Sequence, residues 1–355
     1  MFSTVGKIKD LKGKRVLLRV DFDVPVIDGV ITDKFRVDRQ KPMIDYLLDR
    51  GALVVMVAHI SETDSFESII PQLNKILDRD VGFCSELESI KPDKLVLLEN
   101  IRKWPGEKKN DEEFASKLAK GFDLYINNDF AVSHRNHASV TGITKLLPTY
   151  TGFLVEEEIS QLEKFTNASK EGKLIIMGGA KAETKVPVIK NFIDRSEKIL
   201  LGGVVANDVL AKKGMDMDGS IFDKNFEELL AGLDVNDPRI VLPEDFHFSD
   251  KRILDIGPKS IKRAEELIND AKMIIWNGPF GLFEDERYAN GTYAIARAVS
   301  NAEGFTVVGG GDTIEAIGKL GILDKFDFVS TGGGAMLAFL GGEKLPGLEA
   351  LGYYR

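Results

Sequence analysis

The feature that most constrains this sequence is a pattern repeated along its length: a short apolar run ends in Gly, Asn, Asp or His, and a helical pattern follows. Continuous Val, Ile and Leu runs between helices are typical of parallel strands covered on both faces. We therefore predict an α/β fold with two doubly wound, Rossmann-like parallel sheets. The predicted strands are residues 16–20, 53–58, 95–98 and 124–126 in the first half, and 174–177, 199–201, 240–242, 273–276, 306–308 and 326–329 in the second.

The 355 residues are too many for one ordinary core and suit about two domains. We predict a first domain over residues 1–150 and a second over 171–343, with a cleft between them. Apolar residues at 155, 159, 162 and 165 form a helical stripe, so residues 151–170 are predicted to be a connecting helix. An ordinary surface helix of the first domain is the alternative.

Charge and cysteine content exclude several classes of protein. The formal net charge of -9 disfavours general nucleic-acid binding. We see neither a signal peptide nor an apolar stretch long enough for a bilayer, so no membrane partner and a cytoplasmic location are expected. Cys84 is the only cysteine, which rules out an intrachain disulfide, and its apolar neighbours favour a buried, inert thiol.

Glycine-rich turns follow the predicted strands of the second half, where ligands bind in open α/β sheets. Glycine allows close backbone approach and frees N–H groups for phosphate. Five such turns together indicate a nucleotide site, although any single one could be a simple tight turn. They lie at 178–181, 202–203, 277–279, 309–313 and 332–334. No P-loop motif and no G-x-G-x-x-G fingerprint are present, which disfavours P-loop enzymes and dinucleotide dehydrogenases.

Three charged residues in these turns point to polyphosphate. Lys181 and Lys185 are four residues apart, at the predicted start of a helix, where their charge opposes the helix dipole unless an anion is bound. Asp312 follows three glycines and could hold Mg²⁺ bound to phosphates, act as an N-cap, or do both.

The first half ends its strands with charged residues instead. Three histidines and four arginines gather on one expected sheet edge: His59, His134, His137, Arg19, Arg36, Arg102 and Arg135. Arginine suits carboxylate and phosphate recognition, so we predict a pocket for a small, multiply anionic substrate. Structural ion pairs are the alternative for any single arginine. A metal site at His134 and His137 lacks a third ligand.

Several of these segments, taken together, resemble phosphoglycerate kinase over nearly the whole chain. They are RVDFDVP at 19–25, LLENIR at 97–102, GGAKAETK at 178–185, DIGPKS at 255–260, WNGPFGLFE at 276–284, GGGDT at 309–313 and STGGGA at 330–335. Residues 200–214 look most like the archaeal branch. The resemblance implies reversible phosphoryl transfer between 1,3-bisphosphoglycerate and ADP, giving 3-phosphoglycerate and ATP, by a monomer. It also implies that residues 344–355 return to the first, phosphoglycerate-binding domain, leaving the second as the nucleotide-binding domain.

Family roles carry over to matching positions. The implied catalytic residues are Arg36, Lys181 and Lys185. The implied substrate-binding residues are Arg19, Asp21, Asp23, Arg36, His59, Arg102 and Arg135. The implied nucleotide-binding residues are Gly179, Lys181, Lys185, Gly203, Asn277, Pro279, Glu284, Gly311, Asp312 and Thr313, with Gly332, Gly333 and Gly334 stabilising phosphate and Asp312 on Mg²⁺. A carboxylate substrate is ionised at pH 7, so the reaction needs positioning and charge neutralisation rather than a general base.

The chain departs from the family pattern at five places, one of which is Asn127-Asn128-Asp129-Phe130 in place of the family's Asn-Asp-Ala-Phe. Asp23 replaces an asparagine, and residues 60–63 lack the family's Gly-Arg-Pro, which removes one substrate arginine. Val204 stands where a third glycine often lies near the base, and the loop between Pro243 and Asp255 is short. An active kinase is therefore the first hypothesis. A phosphometabolite-binding relative without turnover is the second, and an NAD-dependent dehydrogenase is the third.

Overall fold

The computed structural model describes residues 3–90 and 94–354. These form two compact units. The first unit comprises the described residues up to Ile159 together with those from Lys344 onward, and the second comprises Ser160–Glu343. The boundary falls within a helix, Phe153–Asn167.

The first unit is built on a six-stranded parallel sheet. Its strands and one small hairpin (β2 and β3) are β1 Arg15–Arg19, β2 Val26–Ile27, β3 Val30–Ile31, β4 Leu53–Val57, β5 Gly82–Cys84, β6 Leu95–Leu98, β7 Leu124–Asn127 and β8 Thr149–Thr151. The sheet order is β5-β6-β4-β1-β7-β8, which places β1 and β4 at its centre. Their alternate residues pack into two apolar cores, with Val16 and Leu18 on one face and Leu17 on the other.

Helices cover both faces of this sheet. They are α1 Phe35–Asp49, α2 Ile70–Leu77, α3 Pro105–Lys109, α4 Glu112–Ala119, α5 Phe153–Asn167, which also enters the second unit, and the C-terminal α13 Pro346–Ala350. A π-helical turn, Ala138–Gly142, lies between β7 and β8. Short 3₁₀ turns occupy Val5–Lys7, Glu67–Ile69, Leu87–Ser89, Ile101–Lys103, Phe130–Val132 and Ile143–Lys145.

The second unit repeats the plan with another six-stranded parallel sheet, in the order β11-β10-β9-β14-β15-β16. The strands of this unit, including an antiparallel hairpin formed by β12 and β13, are β9 Lys173–Met177, β10 Lys198–Leu201, β11 Ile240–Val241, β12 Phe246–Ser249, β13 Arg252–Ile256, β14 Met273–Asn277, β15 Phe305–Gly309 and β16 Phe328–Ser330. The helices are α6 Ala182–Phe192, α7 Gly203–Lys212, α8 Phe226–Leu229, α9 Pro258–Asp270, α10 Asn290–Ser300, α11 Gly311–Lys319 and α12 Gly333–Leu340, with 3₁₀ turns at Glu286–Tyr288 and Leu323–Lys325.

The predicted fold class is confirmed, because each of the ten predicted apolar runs overlaps a parallel strand. The structure adds the edge strands β5 and β8 and both hairpins, which the sequence did not predict. Cys84, on β5, is half-buried rather than buried, with its Sγ 3.2 Å from the carbonyl oxygen of Glu86. Among the described residues, none of the helices combines the length and apolar character that crossing a membrane requires.

Candidate functional site

The first polar cluster lies at the carboxyl edge of the first sheet, because parallel strands all end on the same edge. Arg19, the last residue of β1, is buried here. Its Nη1 donates to the carbonyl oxygens of Val20 and Val57, both at 3.0 Å, and its Nη2 lies 3.4 Å from an Asp129 carboxylate oxygen. Arg19 therefore links the ends of neighbouring strands and does not face solvent.

His59, directly beyond β4, links Arg19 to Asp23. Arg19 Nη2 is 3.1 Å from His59 Nδ1, and His59 Nε2 is 3.2 Å from Asp23 Oδ2. A guanidinium can only donate, so Nδ1 accepts and the neutral imidazole directs Nε2–H at Asp23. Burial, followed by the charge of Arg19, lowers the pKa of His59 despite the opposing effect of Asp23. Burial acts to raise the pKa of Asp23, but hydrogen bonds from His59 and the Ser61 N–H lower it overall.

Arg36 begins the first turn of α1, as predicted, and is oriented by buried Asp21. Arg36 Nη1 lies 3.3 Å from Asp21 Oδ1 and 4.0 Å from Asp23 Oδ2, and the side chain keeps 27% of its surface exposed. Burial raises the pKa of Asp21, which Arg36 partly offsets. One nitrogen of the Arg36 guanidinium is thus held by carboxylates, while part of the side chain remains accessible to a ligand.

The remaining cations of this edge repel one another. Arg102 is half-buried and Arg135 is exposed. Burial, followed by repulsion from Arg19, lowers the pKa of Arg102. Burial together with the nearby arginines lowers the pKa of both His134 and His137 to about 4, so these rings are neutral at pH 7. A bound anion would relieve the repulsion among these arginines.

The second polar cluster lies at the carboxyl edge of the second sheet, where glycine turns pack backbone against backbone. Gly278 has φ +96°, and a Cβ added there would lie 2.0 Å from the Gly178 carbonyl oxygen. A Cβ on Gly203, with φ +55°, would lie 2.6 Å from the Gly179 nitrogen. Gly333 similarly packs on Gly310. Only glycine can fill these positions without strain.

Two lysines stand where α6 begins, as the spacing predicted. Lys181 is exposed at the N-cap in the left-handed region, with φ 64° and ψ 59°, a conformation that costs a non-glycine residue about 1 kcal/mol. Lys185 is buried, and its Nζ donates to the Ala180 carbonyl oxygen at 2.7 Å. Burial, aided by Lys181 and opposed by Asp312, lowers the pKa of Lys185 to about 8.

Asp312 lies in the first turn of α11 and is exposed, but it is not the N-cap, which is Gly310 at φ 103°. That corrects one of the two roles expected for this carboxylate. Gly311, Glu284 and Gly334 are also exposed. Across the described residues, no group of three or more His, Cys, Asp or Glu side chains could hold a metal by itself. Any metal near Asp312 would therefore need most of its ligands from a bound molecule and water.

An apolar cleft of about 230 Å³ opens beside these turns. Gly179, Gly203, Val204 and Pro279 line it, together with Glu284, Asp312 and apolar residues of the β12–β13 hairpin. Its mixture of glycine backbone and apolar side chains suits an aromatic base, and Asp312 and Glu284 are the carboxylates of its lining. Val204 contributes to the wall, at the position where the family often has a third glycine.

Two residues predicted to contact the nucleotide form hydrogen bonds within the glycine turns. Thr313 Oγ1 accepts a hydrogen bond from the Gly278 N–H at 2.7 Å, and Asn277 Nδ2 donates to the Gly309 carbonyl oxygen at 2.8 Å. Both side chains are buried, so any effect on a ligand is exerted through the turn geometry. Gly332 is likewise buried and forms the N-cap of α12, while Gly333 is half-buried.

Sequence reasoning missed three contributors at the first edge. Asp129 is fully buried and pairs with Arg19, and buried Glu107 accepts hydrogen bonds from the Ser139 N–H at 2.8 Å and the Ser139 hydroxyl at 2.6 Å. Ser61 connects Asp23 to Arg102, whose Nη1 is 3.3 Å from Ser61 Oγ. The Asn127-Asn128-Asp129 run was noticed as a strand end, but nothing local in the sequence signals the pairing.

A two-unit parallel α/β fold with a cationic edge on one sheet and lysine-bearing glycine turns on the other defines an enzyme class, phosphotransferases acting on small anionic metabolites. The phosphoglycerate kinase family model matches residues 6–343. The chain belongs to the phosphoglycerate kinase family.

Individual relatives agree. The chain is 37% identical to a phosphoglycerate kinase of Francisella tularensis subsp. novicida, with 96% of each chain covered, and 38% identical to one of Thermosipho africanus with the same coverage. It superposes on the phosphoglycerate kinase of Pyrococcus horikoshii with a TM-score of 0.88 at 32% identity, covering 99% of this chain and 98% of that one. The structure of phosphoglycerate kinase from Coxiella burnetii is also similar, with a TM-score of 0.85 at 28% identity and 100% of each chain covered. The resemblance of residues 200–214 to the archaeal branch stays a prediction.

Proposed function

We propose that the two polar edges divide the family's reaction between them, the first unit binding 3-phosphoglycerate and the second binding the nucleotide. The reaction is phosphoryl transfer between 1,3-bisphosphoglycerate and ADP in glycolysis. The substrates are small phosphorylated molecules and nucleotides. The proposal includes a cytoplasmic monomer without nucleic-acid or membrane partners.

The observation that carries the nucleotide assignment is the state of Lys185. Its ammonium is buried, and within the described part of the chain no carboxylate lies within 4.0 Å of it to form a salt bridge. A buried cation held only by a carbonyl oxygen and by the more distant charge of Asp312 opposes folding unless an anion compensates it. A polyphosphate above the glycine turns would supply that charge and would also offset Lys181 at the same helix start.

The chemistry needs no general base from the protein. The acceptor carboxylate is ionised at pH 7 and attacks phosphorus directly, so the protein must position the reactants and stabilise charge on the moving phosphoryl group. Arg36, Lys181 and Lys185 are assigned this role. His59 and Asp23 are assigned to the substrate site, and because both ring nitrogens of His59 are engaged by Arg19 and Asp23, a direct hydrogen bond from His59 to substrate would replace one of these contacts.

Asp312 fits a role in holding Mg²⁺. Magnesium typically takes one or two carboxylates plus substrate phosphates and water. Asp312 is an exposed carboxylate that lines the apolar cleft of the second unit. When bound with the nucleotide, the ion would neutralise phosphate charge. The protein's own share is to orient Asp312 through α11 and to present the lysines.

A binding protein without turnover is the competing proposal, because residues 60–63 lack the family arginine. The two proposals are separated by steady-state turnover of 3-phosphoglycerate with MgATP, coupled to NADH oxidation. We expect turnover by the wild type and a fall in kcat of roughly 10²-fold or more for Lys181→Ala and Arg36→Ala, since each removes transition-state charge stabilisation. An inactive wild type at saturating substrates, with several nucleotides tried, would refute the kinase proposal.

A further inference from the structure

A second cleft, of about 440 Å³, opens in the first unit beside the His59–Asp23 pair. Its polar lining includes Ser61, Thr63, Asp64, Arg102, Lys103 and Lys108. Three cations and one carboxylate thus line a single cleft in a protein whose net charge is -9. We call it the Lys108 cleft. Neither Lys103 nor Lys108 was singled out by the sequence.

The loop forming one wall of the Lys108 cleft is held in place. Asn100 Nδ2 donates to the Ile60 carbonyl oxygen at 2.8 Å and to the Thr63 carbonyl oxygen at 3.4 Å. The Ser61 N–H donates to Asp23 Oδ1 at 2.7 Å, while Ser61 Oγ accepts from Arg102. The cleft therefore adjoins the Asp23 end of the proposed substrate site through Ser61.

The opposite wall is also anchored, because α3, which carries Lys108, is fixed by the residue before it. Glu107 is fully buried, and its two carboxylate oxygens accept from the N–H and hydroxyl of Ser139. Lys108 itself is exposed in the last turn of the helix. The helix therefore fixes the position of the Lys108 backbone, while the exposed ammonium group stays available to a ligand.

The cations of the cleft are incompletely compensated. Arg102 Nε is buried without a hydrogen-bond partner. Lys103 Nζ lies 3.7 Å from Glu86, an exposed pair of the kind that contributes little. Repulsion from neighbouring arginines adds to burial in lowering the pKa of Arg102, so a dianion in this cleft would be stabilised.

We propose that Lys103 and Lys108, together with Arg102, bind the phosphate group of 3-phosphoglycerate and take over the role of the family arginine missing from residues 60–63. This inference rests on the proposed function. Three convergent cations and the neighbouring Ser61 and Thr63 hydroxyls suit a phosphate dianion. Glu62 lies in the segment that lacks the family arginine, but it does not line the Lys108 cleft. Its carboxylate therefore adds no negative charge to the lining.

The test is a kinetic comparison of Lys103→Gln, Lys108→Gln and the double variant with Lys109→Gln, a matched control. Lys109 is the next residue on α3, equally exposed, and does not line the cleft. We expect the KM for 3-phosphoglycerate to rise roughly 10-fold or more in the double variant, as for loss of charge-assisted hydrogen bonds. The kcat and the KM for ATP should change less than about 2-fold, because the phosphate is remote from the transferred group.

Two further variants and one titration test the cleft independently. Asp64→Asn, which removes the one carboxylate of the cleft lining, should lower the KM for 3-phosphoglycerate, and Lys108→Arg should restore the loss seen in Lys108→Gln. Inorganic phosphate, titrated by calorimetry, reports the cleft without turnover and should bind more weakly to the double variant than to Lys109→Gln.

The outcomes separate this inference from the proposed function. If the wild type turns over and the double variant keeps its KM, the Lys108 cleft is not the phosphate subsite. If the wild type does not turn over, the kinase proposal fails, and the phosphate titration then decides: equal binding by wild type and double variant overturns the cleft as an anion site, whereas a selective loss supports it.

Discussion

Asp23 shows how a single unfavourable charge can be accommodated at an edge proposed to bind an anion. A carboxylate facing an anionic substrate is repulsive unless it is paired. Here it accepts from His59 Nε2 at 3.2 Å and from the Ser61 N–H at 2.7 Å, with Arg36 4.0 Å away. The Asp23 carboxylate therefore holds His59 and the Ser61 backbone in place. The replacement of asparagine by Asp23 is compatible with substrate binding for that reason.

Lys185 gives a prediction in which stability and activity change in opposite directions. Its pKa is lowered from 10.5 to about 8, so between these values the unfolded chain binds more protons and stability rises with pH. Below about pH 8 the buried ammonium opposes folding in full. At about 1.4 kcal/mol per pKa unit, Lys185→Met should stabilise the ligand-free protein by about 1–3 kcal/mol at pH 7 while abolishing turnover.

Urea unfolding at pH 7 and pH 9.5 measures this effect, with Lys181→Met as the control. Lys181 is exposed, so its loss should reduce turnover without raising stability. The advantage of Lys185→Met over the wild type should shrink at pH 9.5, where the wild-type lysine is neutral. A variant less stable than wild type at both pH values would show that the ammonium is already compensated in the free protein.

At the scale of elements, the glycine turns of the second unit are fixed by close packing. Gly278→Ala would place a Cβ 2.0 Å from the Gly178 carbonyl oxygen at a φ of +96°, and because the three nearest atoms are all backbone, no side-chain rotation can relieve the clash. We expect it to destabilise the protein by more than about 3 kcal/mol or to prevent folding.

Gly311→Ala is the matched comparison, since nothing lies within 4 Å of an added Cβ and its φ is not positive. It should change the unfolding free energy by less than about 1 kcal/mol. Thermal unfolding of both variants measures the difference. Equal stabilities would mean that the turns tolerate side chains and that their glycines are not required by packing.

The elements also show what a sequence can predict. Central strands such as β4 and β14 are buried on both faces, so their continuous apolar runs identify them. The edge strands β5 (Gly82–Cys84) and β8 (Thr149–Thr151) contain no Val, Ile or Leu and so carry no such signal, whereas the apolar runs at the edge strands β11 and β16 were recognised. The β12–β13 hairpin was missed because polar residues interrupt its apolar ones, as in Phe246-His247-Phe248-Ser249.

Predicting the site is limited in the same way by partners distant in sequence. The carboxyl-edge rule brought Arg19, Arg36, His59 and Arg102 to one edge correctly. It could not distinguish an arginine that faces a ligand from one that braces the strands, because the partner of Arg19 is Asp129, far along the chain. Asn277 is a similar case, since its amide bonds to a neighbouring strand.

At the scale of the whole molecule, an acidic chain concentrates its cations where phosphate is expected. Each unit has one polar sheet edge, and each edge contains a cation whose charge is poorly compensated: Arg102 in the first and Lys185 in the second. Ligand binding should therefore stabilise each unit through its own edge, by an amount set by ligand concentration relative to Kd. That separation allows the two units to be perturbed independently.

The C-terminal segment provides the test, because residues 344–354 belong to the first unit although they follow the second in sequence. Leu345 and Leu348 are buried, and the Gly347 N–H donates to the Ser133 carbonyl oxygen at 2.8 Å. Each buried leucine contributes about 1.5–3 kcal/mol, against a typical domain stability of about 5–15 kcal/mol.

A chain ending at Glu343 should thus lose thermal stabilisation by 3-phosphoglycerate and keep stabilisation by MgADP. Leu348→Ala should show the same selectivity in milder form, and Glu349→Ala, at an exposed position of α13, should show none. If the shortened chain still responds to 3-phosphoglycerate like the wild type, the segment is not part of the first core; if it loses both responses, the two units do not fold independently.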